Sequence, residues 1–216
     1  MNDKNIAAFV CIKLKSQRLP NKMTLKLGNK KLCQHIFDTL IQLKNNSKYN
    51  INIYCFCSDE RIKDLLPEDV IFLKRDPKLD SSTTKGMEIY QEFMKLVNSD
   101  VYLLCHATSP FVKKESIIKG LDGIINKNYD SAFSCLRTQT FCWYNNLTLN
   151  YSLDDIVQTQ NIKPIFSETS AFYAFKKEVL ENKRRIGDNP LLVETDYRES
   201  VDIDELRDYE LALKLI

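Results

Sequence analysis

Hydrophobic residues along the chain follow two patterns that alternate. Short continuous apolar runs are typical of strands buried on both faces, whereas apolar residues that recur every three to four positions are typical of one face of a helix. The runs predict strands at residues 6–12, 51–57, 70–73, 101–105, 131–136 and 170–175. The periodic stretches predict helices at residues 32–44, 84–97 and 116–126, a short one capped by Ser58 that ends before Pro67, and a last one after Asp204.

Strands that alternate with helices predict an α/β fold in which crossover connections join parallel strands. We therefore expect one mostly parallel sheet with helices on both faces. A length of 216 residues suits a single domain over residues 1–216 with one substantial core. Ligands of such open sheets bind beyond the carboxyl ends of the strands, so the loops that follow the strands are the candidate sites of chemistry.

The alternation is interrupted between residues 138 and 167, where polar and aromatic residues follow no clean period. We expect this segment to leave the sheet as a small excursion, either a lid or a dimerisation arm. Phe141, Trp143, Tyr144 and Tyr151 lie within it. So much aromatic surface outside a core is typical of a protein–protein interface, and the segment therefore predicts a homodimer.

Composition argues against several classes of partner. The formal net charge is only +2, which does not favour nucleic acid as the main partner. No apolar stretch is long enough to span a membrane, and the N-terminal residues lack the basic start and cleavage site of a signal peptide. The seven cysteines are irregularly spaced, so we expect a cytoplasmic protein with reduced thiols, and Cys55 and Cys57 in its core rather than in a metal site.

The loop after the first strand carries a concentrated positive charge. Between residues 13 and 31 there is no acidic residue, and seven residues are basic, namely Lys13, Lys15, Arg18, Lys22, Lys26, Lys30 and Lys31. Because the rest of the chain is nearly balanced, the loop creates a local positive field at a strand end, which suits a polyanion such as a triphosphate. Charge alone leaves open the alternative of a solvated lysine-rich loop.

The order of residues within this loop resembles a known signature. Ser-Gln-Arg-Leu-Pro-Asn-Lys at residues 16–22 is followed by Leu-Gly at 27–28 and Lys-Lys-Leu at 30–32. This order resembles the opening signature of the CMP-sugar synthetases. That family comprises the acylneuraminate (CMP-nonulosonate) cytidylyltransferases and is related to the CMP-Kdo synthetases.

Further segments resemble the same family and follow in the family's order. They are Ser-Asp-Glu-Arg-Ile at 58–62, Arg-Asp-Pro-Lys-Leu-Asp-Ser-Ser at 75–82, His-Ala-Thr-Ser-Pro-Phe at 106–111, Gln160 with Glu-Thr-Ser-Ala-Phe-Tyr at 168–173, and Glu-Ser-Val-Asp-Ile-Asp at 199–204. An ordered series over nearly the whole chain is much harder to obtain by chance than any single short motif.

The resemblance implies a Rossmann-like fold of the nucleotide-diphospho-sugar transferase type and a specific activity. This activity is the transfer of CMP from CTP to the hydroxyl group of an acidic, nonulosonate-like sugar, with release of pyrophosphate, as in surface polysaccharide biosynthesis. The resemblance also implies a homodimer formed through the excursion.

Site residues follow from the same resemblance. It implies contacts with the nucleotide and its phosphates for Lys13, Ser16, Arg18, Lys22, Arg75 and Ser82. It implies contacts with the acceptor sugar for His106, Thr108, Ser109 and Gln160. The implied catalytic set is Arg18, Lys22, Asp202 and Asp204.

Asp202 and Asp204 are the candidate metal ligands. In an extended segment, side chains two residues apart share one face, and paired carboxylates there suit a hard cation such as Mg²⁺. The alternative is that Asp204 caps the last helix while Asp202 is solvated. The two-residue spacing alone favours the cap, and the family's order of motifs favours the Mg²⁺ site.

Two other functions remain open from the sequence. A Mg²⁺-dependent glycosyltransferase that uses a nucleotide-sugar donor would share the sheet and an Asp-x-Asp pair, although its pair would normally follow a strand in the middle of the chain. A catalytically inactive nucleotide-binding protein is the second alternative. It is favoured by Asn21, which replaces a glycine of the family's signature, and by Gln158, which stands where an arginine is usual.

Overall fold

The computed structural model describes residues 4–216. Within this range the strands are β1 (Asn5–Ile12), β2 (Lys26–Leu27), β3 (Lys30–Lys31), β4 (Asn50–Cys57), β5 (Val70–Lys74), β6 (Val101–Cys105), β7 (Ser131–Thr138), β8 (Trp143–Tyr144), β9 (Leu147–Thr148), β10 (Ile165–Lys176) and β11 (Pro190–Glu194). The α-helices are α1 (Leu32–Asn46), α2 (Gly86–Leu96), α3 (Lys114–Asn126), α4 (Lys177–Glu181) and α5 (Leu206–Leu215). Every predicted strand is present.

Seven of the strands form one sheet in the order β11-β7-β10-β6-β1-β4-β5. β10 runs antiparallel to both of its neighbours, and the other adjacent pairs in this sheet are parallel. The predicted α/β fold with a mostly parallel sheet is therefore confirmed.

Helices cover both faces of the sheet, because alternate residues of each strand point to opposite sides. Even-numbered residues of β1, such as Ile6 and Val10, pack in one apolar cluster with residues of α1 and α3. Phe9 points the other way, into a cluster with residues of α2 and α4. Its ring stacks on Phe93 of α2 with centroids 4.2 Å apart. Burial on both faces explains why the central strands read as continuous apolar runs.

The predicted short helix after Ser58 differs in type and in its cap. The segment is a 3-10 helix at Glu60–Leu65. Its N-cap is Asp59, whose carboxylate accepts a hydrogen bond from the backbone N–H of Arg61 at 3.1 Å. The Ser58 hydroxyl donates instead to Asp80, which ties the loop after β4 to the loop after β5.

Two features of the sheet were not predicted. β11 is an edge strand that begins at Pro190, where a proline is tolerated because it need not donate to a ladder. β10 is longer than the predicted strand and carries an irregularity between Glu168 and Tyr173. Ser170 lies within that irregularity with φ of 60°, a left-handed conformation that local propensity does not signal.

The predicted excursion is shorter than its sequence boundaries, because β7 and β10 extend into both of its ends. The free arm spans residues 139–164 and contains the small β8–β9 hairpin, which is separate from the main sheet. Several large apolar side chains of the arm are exposed, among them Trp143, Tyr144, Leu147, Leu153 and Ile156. Among residues 4–216, no helix has the length and apolar character needed to cross a membrane.

The cysteines of the central strands belong to the core, as predicted. Cys55 and Cys57 of β4 are fully buried and pack with Cys33 of α1. All seven cysteines are free thiols. Burial raises the pKa of Cys33 to about 11, so this thiol stays protonated and unreactive near neutral pH.

Candidate active site

Loops from distant parts of the sequence meet at one edge of the sheet. β1, β4 and β6 are neighbours and run parallel, so the loops after Ile12, Cys57 and Cys105 leave the sheet on the same side. The segment before α5 packs beside them, and the N–H of Ile203 donates to the carbonyl oxygen of Thr108 at 2.8 Å. The first loop, the 106–111 segment and the Asp202–Asp204 pair are thereby brought together.

Lys22 and Arg18 of the first loop both contact Asp204. The Lys22 Nζ atom lies 2.7 Å from one carboxylate oxygen of Asp204 and donates to the Ile203 carbonyl oxygen at 3.1 Å. The Arg18 Nη1 atom lies 2.8 Å from the other carboxylate oxygen. Lys22 is only 8% exposed, whereas the Arg18 side chain is 62% exposed. One cation is therefore anchored in the protein, and the other is free to reach outward.

The residue before Lys22 has a backbone conformation that explains a departure from the family's signature. Asn21 has φ of 56° and ψ of 24°, which is the left-handed region. Glycine adopts this region without penalty, and asparagine tolerates it better than most other residues do. Asn21 therefore preserves the turn that directs Lys22 toward Asp204.

Asp204 is not the cap of the last helix, so the alternative from the sequence is wrong. The N-cap is Glu205, and the carboxylate of Asp208 accepts hydrogen bonds from the N–H groups of Asp204 at 3.0 Å and Glu205 at 2.8 Å. The side chain of Asp204 is thus available to the first loop. Burial raises the pKa of Asp204, but the hydrogen bond and charge of Lys22 and the charge of Arg18 outweigh it and hold the pKa below its usual value.

Asp202 carries an oxygen atom that no group of the protein satisfies. Its Oδ1 atom is buried and has no hydrogen-bond partner among residues 4–216. Leaving a carboxylate oxygen buried without a donor is costly, and a cation is the natural partner for such an atom. The described residues contain no cluster of three or more His, Cys, Asp or Glu side chains suited to a metal. A two-carboxylate site fits Mg²⁺, which takes its other ligands from water and phosphate.

His106 follows β6 and faces the same region. Its backbone N–H donates to the carbonyl oxygen of Ala171 at 3.2 Å, and its ring meets the Tyr173 ring edge-on with centroids 6.2 Å apart. Burial lowers the pKa of His106, and the nearby Asp202 only partly opposes this effect. The imidazole is therefore neutral near pH 7, with one nitrogen able to accept a proton.

Two other residues predicted for the site, Arg75 and Ser109, are buried below its surface. Arg75 is only 2% exposed. Its guanidinium donates to the carbonyl oxygens of Ile12 at 2.9 Å and Phe56 at 3.2 Å, and it contacts Asp80 at 2.5 Å. In this structure Arg75 orders the ends of β1 and β4. Ser109 is fully buried, and its hydroxyl has no hydrogen-bond partner within residues 4–216, so it also lies below the surface of the site.

A cavity of about 820 Å³ opens at the ends of β1, β4 and β5, and Lys22, Asp202 and Asp204 are not among its lining residues. Lys13 and Ser16 line it, as does Asp80, and the Lys13 ammonium donates to the Asp80 carbonyl oxygen. Ser82, two residues after Asp80, is exposed. Gln160 lies apart on the arm, where its amide contacts Gln158. No described hydrogen bond joins Gln160 to the other predicted site residues.

Sequence reasoning missed two groups near the site. Asp80 holds Lys13, Ser58 and Arg75 together, and its only signal was its place in the 75–82 segment. Arg185 lies over the Tyr173 ring, with Cζ 4.1 Å from the ring centroid. It belongs to a Lys-Arg-Arg triplet at residues 183–185 that is indistinguishable in sequence from a solvated basic turn.

Comparisons with known proteins agree with this arrangement. A family model described as cytidylyltransferase matches residues 7–213. N-acylneuraminate cytidylyltransferase A of Danio rerio is 26% identical over 152 residues, which are 64% of this chain and 34% of that protein. The chain thus spans about a third of the length of this curated relative.

Solved structures share the fold. One is CMP:2-keto-3-deoxy-manno-octonic acid synthetase complexed with CTP, with a TM-score of 0.68, 15% identity and 98% of each chain covered. Another is 4-diphosphocytidyl-2C-methyl-D-erythritol synthase of Anaerococcus prevotii, with a TM-score of 0.69, 13% identity and 98% of each chain covered. The predicted Rossmann-like architecture and the resemblance to CMP-sugar synthetases are confirmed. Because the family match runs from β1 to α5, the chain belongs to the cytidylyltransferase family.

Proposed function

We propose that this protein transfers CMP from CTP to the hydroxyl group of an acidic sugar and releases pyrophosphate. The observation that carries the proposal is the convergence of Arg18 and Lys22 on Asp204, two residues after Asp202, whose buried Oδ1 atom has no partner among the described residues. Fixed cations next to paired carboxylates are what a phosphoryl-type transfer requires, because catalysis there is mostly positioning and charge neutralisation. The names of the N-acylneuraminate and octonic acid relatives support an acidic sugar as acceptor.

Lys22 is the group that faces the α-phosphate in this proposal. Its ammonium is largely buried and held by two oxygen atoms. It is therefore preorganised and does not have to be ordered when negative charge develops on the pentavalent phosphorus. Arg18, which is exposed and has a planar fork of donors, binds the β- and γ-phosphates, and Lys13 and Ser16 line the cavity that receives the nucleotide.

Asp202 and Asp204 would hold Mg²⁺. Bound there, Mg²⁺ would neutralise phosphate oxygens and acidify the acceptor hydroxyl group. When Arg18 and Lys22 turn to the phosphates, the Asp204 carboxylate loses partners inside the protein. It then becomes available, together with Asp202, to bind the cation. His106 is neutral beside Asp202, and its ring nitrogen accepts or orders the proton of the acceptor hydroxyl group. Thr108 and Gln160 are further candidates for acceptor contacts.

The proposal predicts a clear preference for CTP. Purified protein with Mg²⁺ should release pyrophosphate from CTP at least about ten-fold faster than from UTP, ATP or GTP, when offered sialic, legionaminic, pseudaminic and Kdo-type acids. Calorimetry should show CTP binding in the absence of an acid. Equal use of UTP would contradict the assignment of the nucleotide. CTP binding without pyrophosphate release from any acid would favour the inactive nucleotide-binding alternative.

We also propose a homodimer formed through the 139–164 arm. Tyr144 is 66% and Leu147 is 70% exposed, and a second copy would remove this surface from water. Light scattering at micromolar concentration should give the mass of a dimer. Replacing both residues by aspartate should weaken the dimer about 30-fold or more, whereas Leu96→Asp, at an exposed position on α2, should not. A monomer mass for the wild type would refute this prediction.

A further inference from the structure

A second, smaller cavity opens between the N-terminus of α2 and the turn that follows α4. Its volume is about 390 Å³, and four of its lining residues are basic, namely Lys85, Lys183, Arg184 and Arg185. None of its lining residues is acidic. A concave surface with one sign of charge concentrates ligands of the opposite sign, so the cavity is suited to an anionic group.

Arg185 is the basic residue that the structure holds in place. Its Cζ atom lies 4.1 Å from the centroid of the Tyr173 ring, and its Nη2 atom donates to Glu168 at 3.0 Å. The Tyr173 hydroxyl donates to the same carboxylate oxygen at 2.6 Å. The Arg185 side chain also interacts with the Tyr90 hydroxyl, and it remains 36% exposed. The Tyr173 ring face, Glu168 and Tyr90 together fix the plane of the guanidinium.

Arg184, the preceding residue, is arranged differently. Its Nη1 atom lies 2.6 Å from a carboxylate oxygen of Asp188, and its Nη2 atom donates to the Gly187 carbonyl oxygen at 3.1 Å. The charge of Arg184 is therefore satisfied within its own turn. Adjacent arginines in one turn thus have different roles, and Arg184 is a matched control for Arg185.

Tyr173 lies between Arg185 and His106 of the candidate active site. The ring of Tyr173 contacts Arg185 on its face and meets the His106 ring edge-on. The charge of Arg185 is also one of the effects that lower the pKa of His106, after burial. The N-terminus of α2 follows the loop that carries Asp80, at the same edge of the sheet as the phosphate-binding loop. Tyr173 itself is fully buried, so its ring is a shared wall, and an acceptor at His106 is one side chain away from Arg185.

We propose that Arg185, with Lys85 beside it, binds the carboxylate of the acidic acceptor and so determines specificity for an acid. The planar guanidinium matches the two oxygen atoms of a carboxylate, and Glu168 and Tyr173 hold it ready. This inference rests on the proposed function, because it assigns the acceptor's charge to a residue of the same site. Arg185 binds and orients the acceptor; it takes no part in bond formation.

The test compares acids with their uncharged methyl esters, which keep the acceptor hydroxyl group. Pyrophosphate release is measured at saturating CTP with N-acetylneuraminic, legionaminic, pseudaminic and Kdo acids and with the ester of each acid that reacts. The wild type should prefer the acid over its ester by about ten-fold or more in kcat/KM. Arg185→Gln should lose most of this preference through a higher KM for the acid, while the KM for CTP changes less than about two-fold. Arg184→Gln, which removes one charge from the cavity wall but leaves the guanidinium over Tyr173, should keep most of this preference.

A purely structural role for Arg185 predicts a different result. Loss of its contacts with Glu168 and Tyr173 would slow acid and ester equally and keep their ratio, and that outcome would overturn the inference. Arg185→Lys retains the charge without the planar fork and should retain part of the preference for the acid over its ester. If Arg185→Gln fails to fold, Arg185→Lys takes its place in the comparison. A wild type that releases no pyrophosphate with any acid would overturn the proposed function and this inference with it. If the wild type is active and Arg185→Gln keeps the same acid-to-ester ratio of kcat/KM, this inference alone is overturned.

Discussion

Asp202→Asn should remove most turnover and leave the stability of the protein almost unchanged. The Asp202 Oδ1 atom is buried and makes no hydrogen bond within the described chain, so the fold does not depend on it. Loss of the carboxylate charge should weaken Mg²⁺ binding and lower kcat/KM about 100-fold or more. The free energy of unfolding should change by less than about 1 kcal/mol. Pyrophosphate release and thermal unfolding, measured on the same preparation, check both expectations.

Asp204→Asn is the informative partner of this variant. It should lower turnover as strongly, but it should also destabilise the fold by about 1–3 kcal/mol, because Lys22 would be left largely buried without its counter-charge. Asp188→Asn, at a carboxylate that is 90% exposed, is the control and should change neither quantity. Near-normal turnover in Asp202→Asn would contradict the metal-binding role of the pair.

Lys22→Met should produce the second large effect. Methionine keeps the length of the side chain but removes the charge that contacts Asp204 at 2.7 Å. We expect turnover to fall about 100- to 1000-fold, since in the proposed function Lys22 is the preorganised donor that faces the developing charge. Lys22→Arg should not restore activity, because a planar fork does not fit a socket shaped for a compact ammonium group. CTP binding by calorimetry and pyrophosphate release are the measurements.

The control for Lys22→Met is Lys26→Met in the same loop. Lys26 is exposed, and solvent and salt screen exposed charges. The same chemical change there should therefore alter turnover less than about two-fold. If Lys22→Met and Lys26→Met were equally mild, the loop would act only as a diffuse positive field. The specific role of Lys22 at the α-phosphate would then be wrong.

The sequence by itself determined the class of fold and the family. Central strands buried on both faces must be apolar at every position, and amphipathic helices must repeat every three to four residues, so both signals are local and readable. The motif order placed the candidate residues after the right strands. β11 was missed because a five-residue edge strand that starts at Pro190 has no alternation to detect. The full length of β10 was hidden by the left-handed turn at Ser170.

Only the tertiary structure decided which side chains act together. Lys22 and Asp204 lie 182 positions apart, and whether Asp204 caps the last helix or contacts the first loop depends on how the last segment packs against that loop. The same holds for Arg75, which sequence similarity places at the nucleotide and the structure places beneath the strand ends. Arg185 becomes distinct from Arg184 only when Tyr173 and Glu168 lie next to it. Such roles depend on contacts between remote segments, which local propensity and periodicity do not encode.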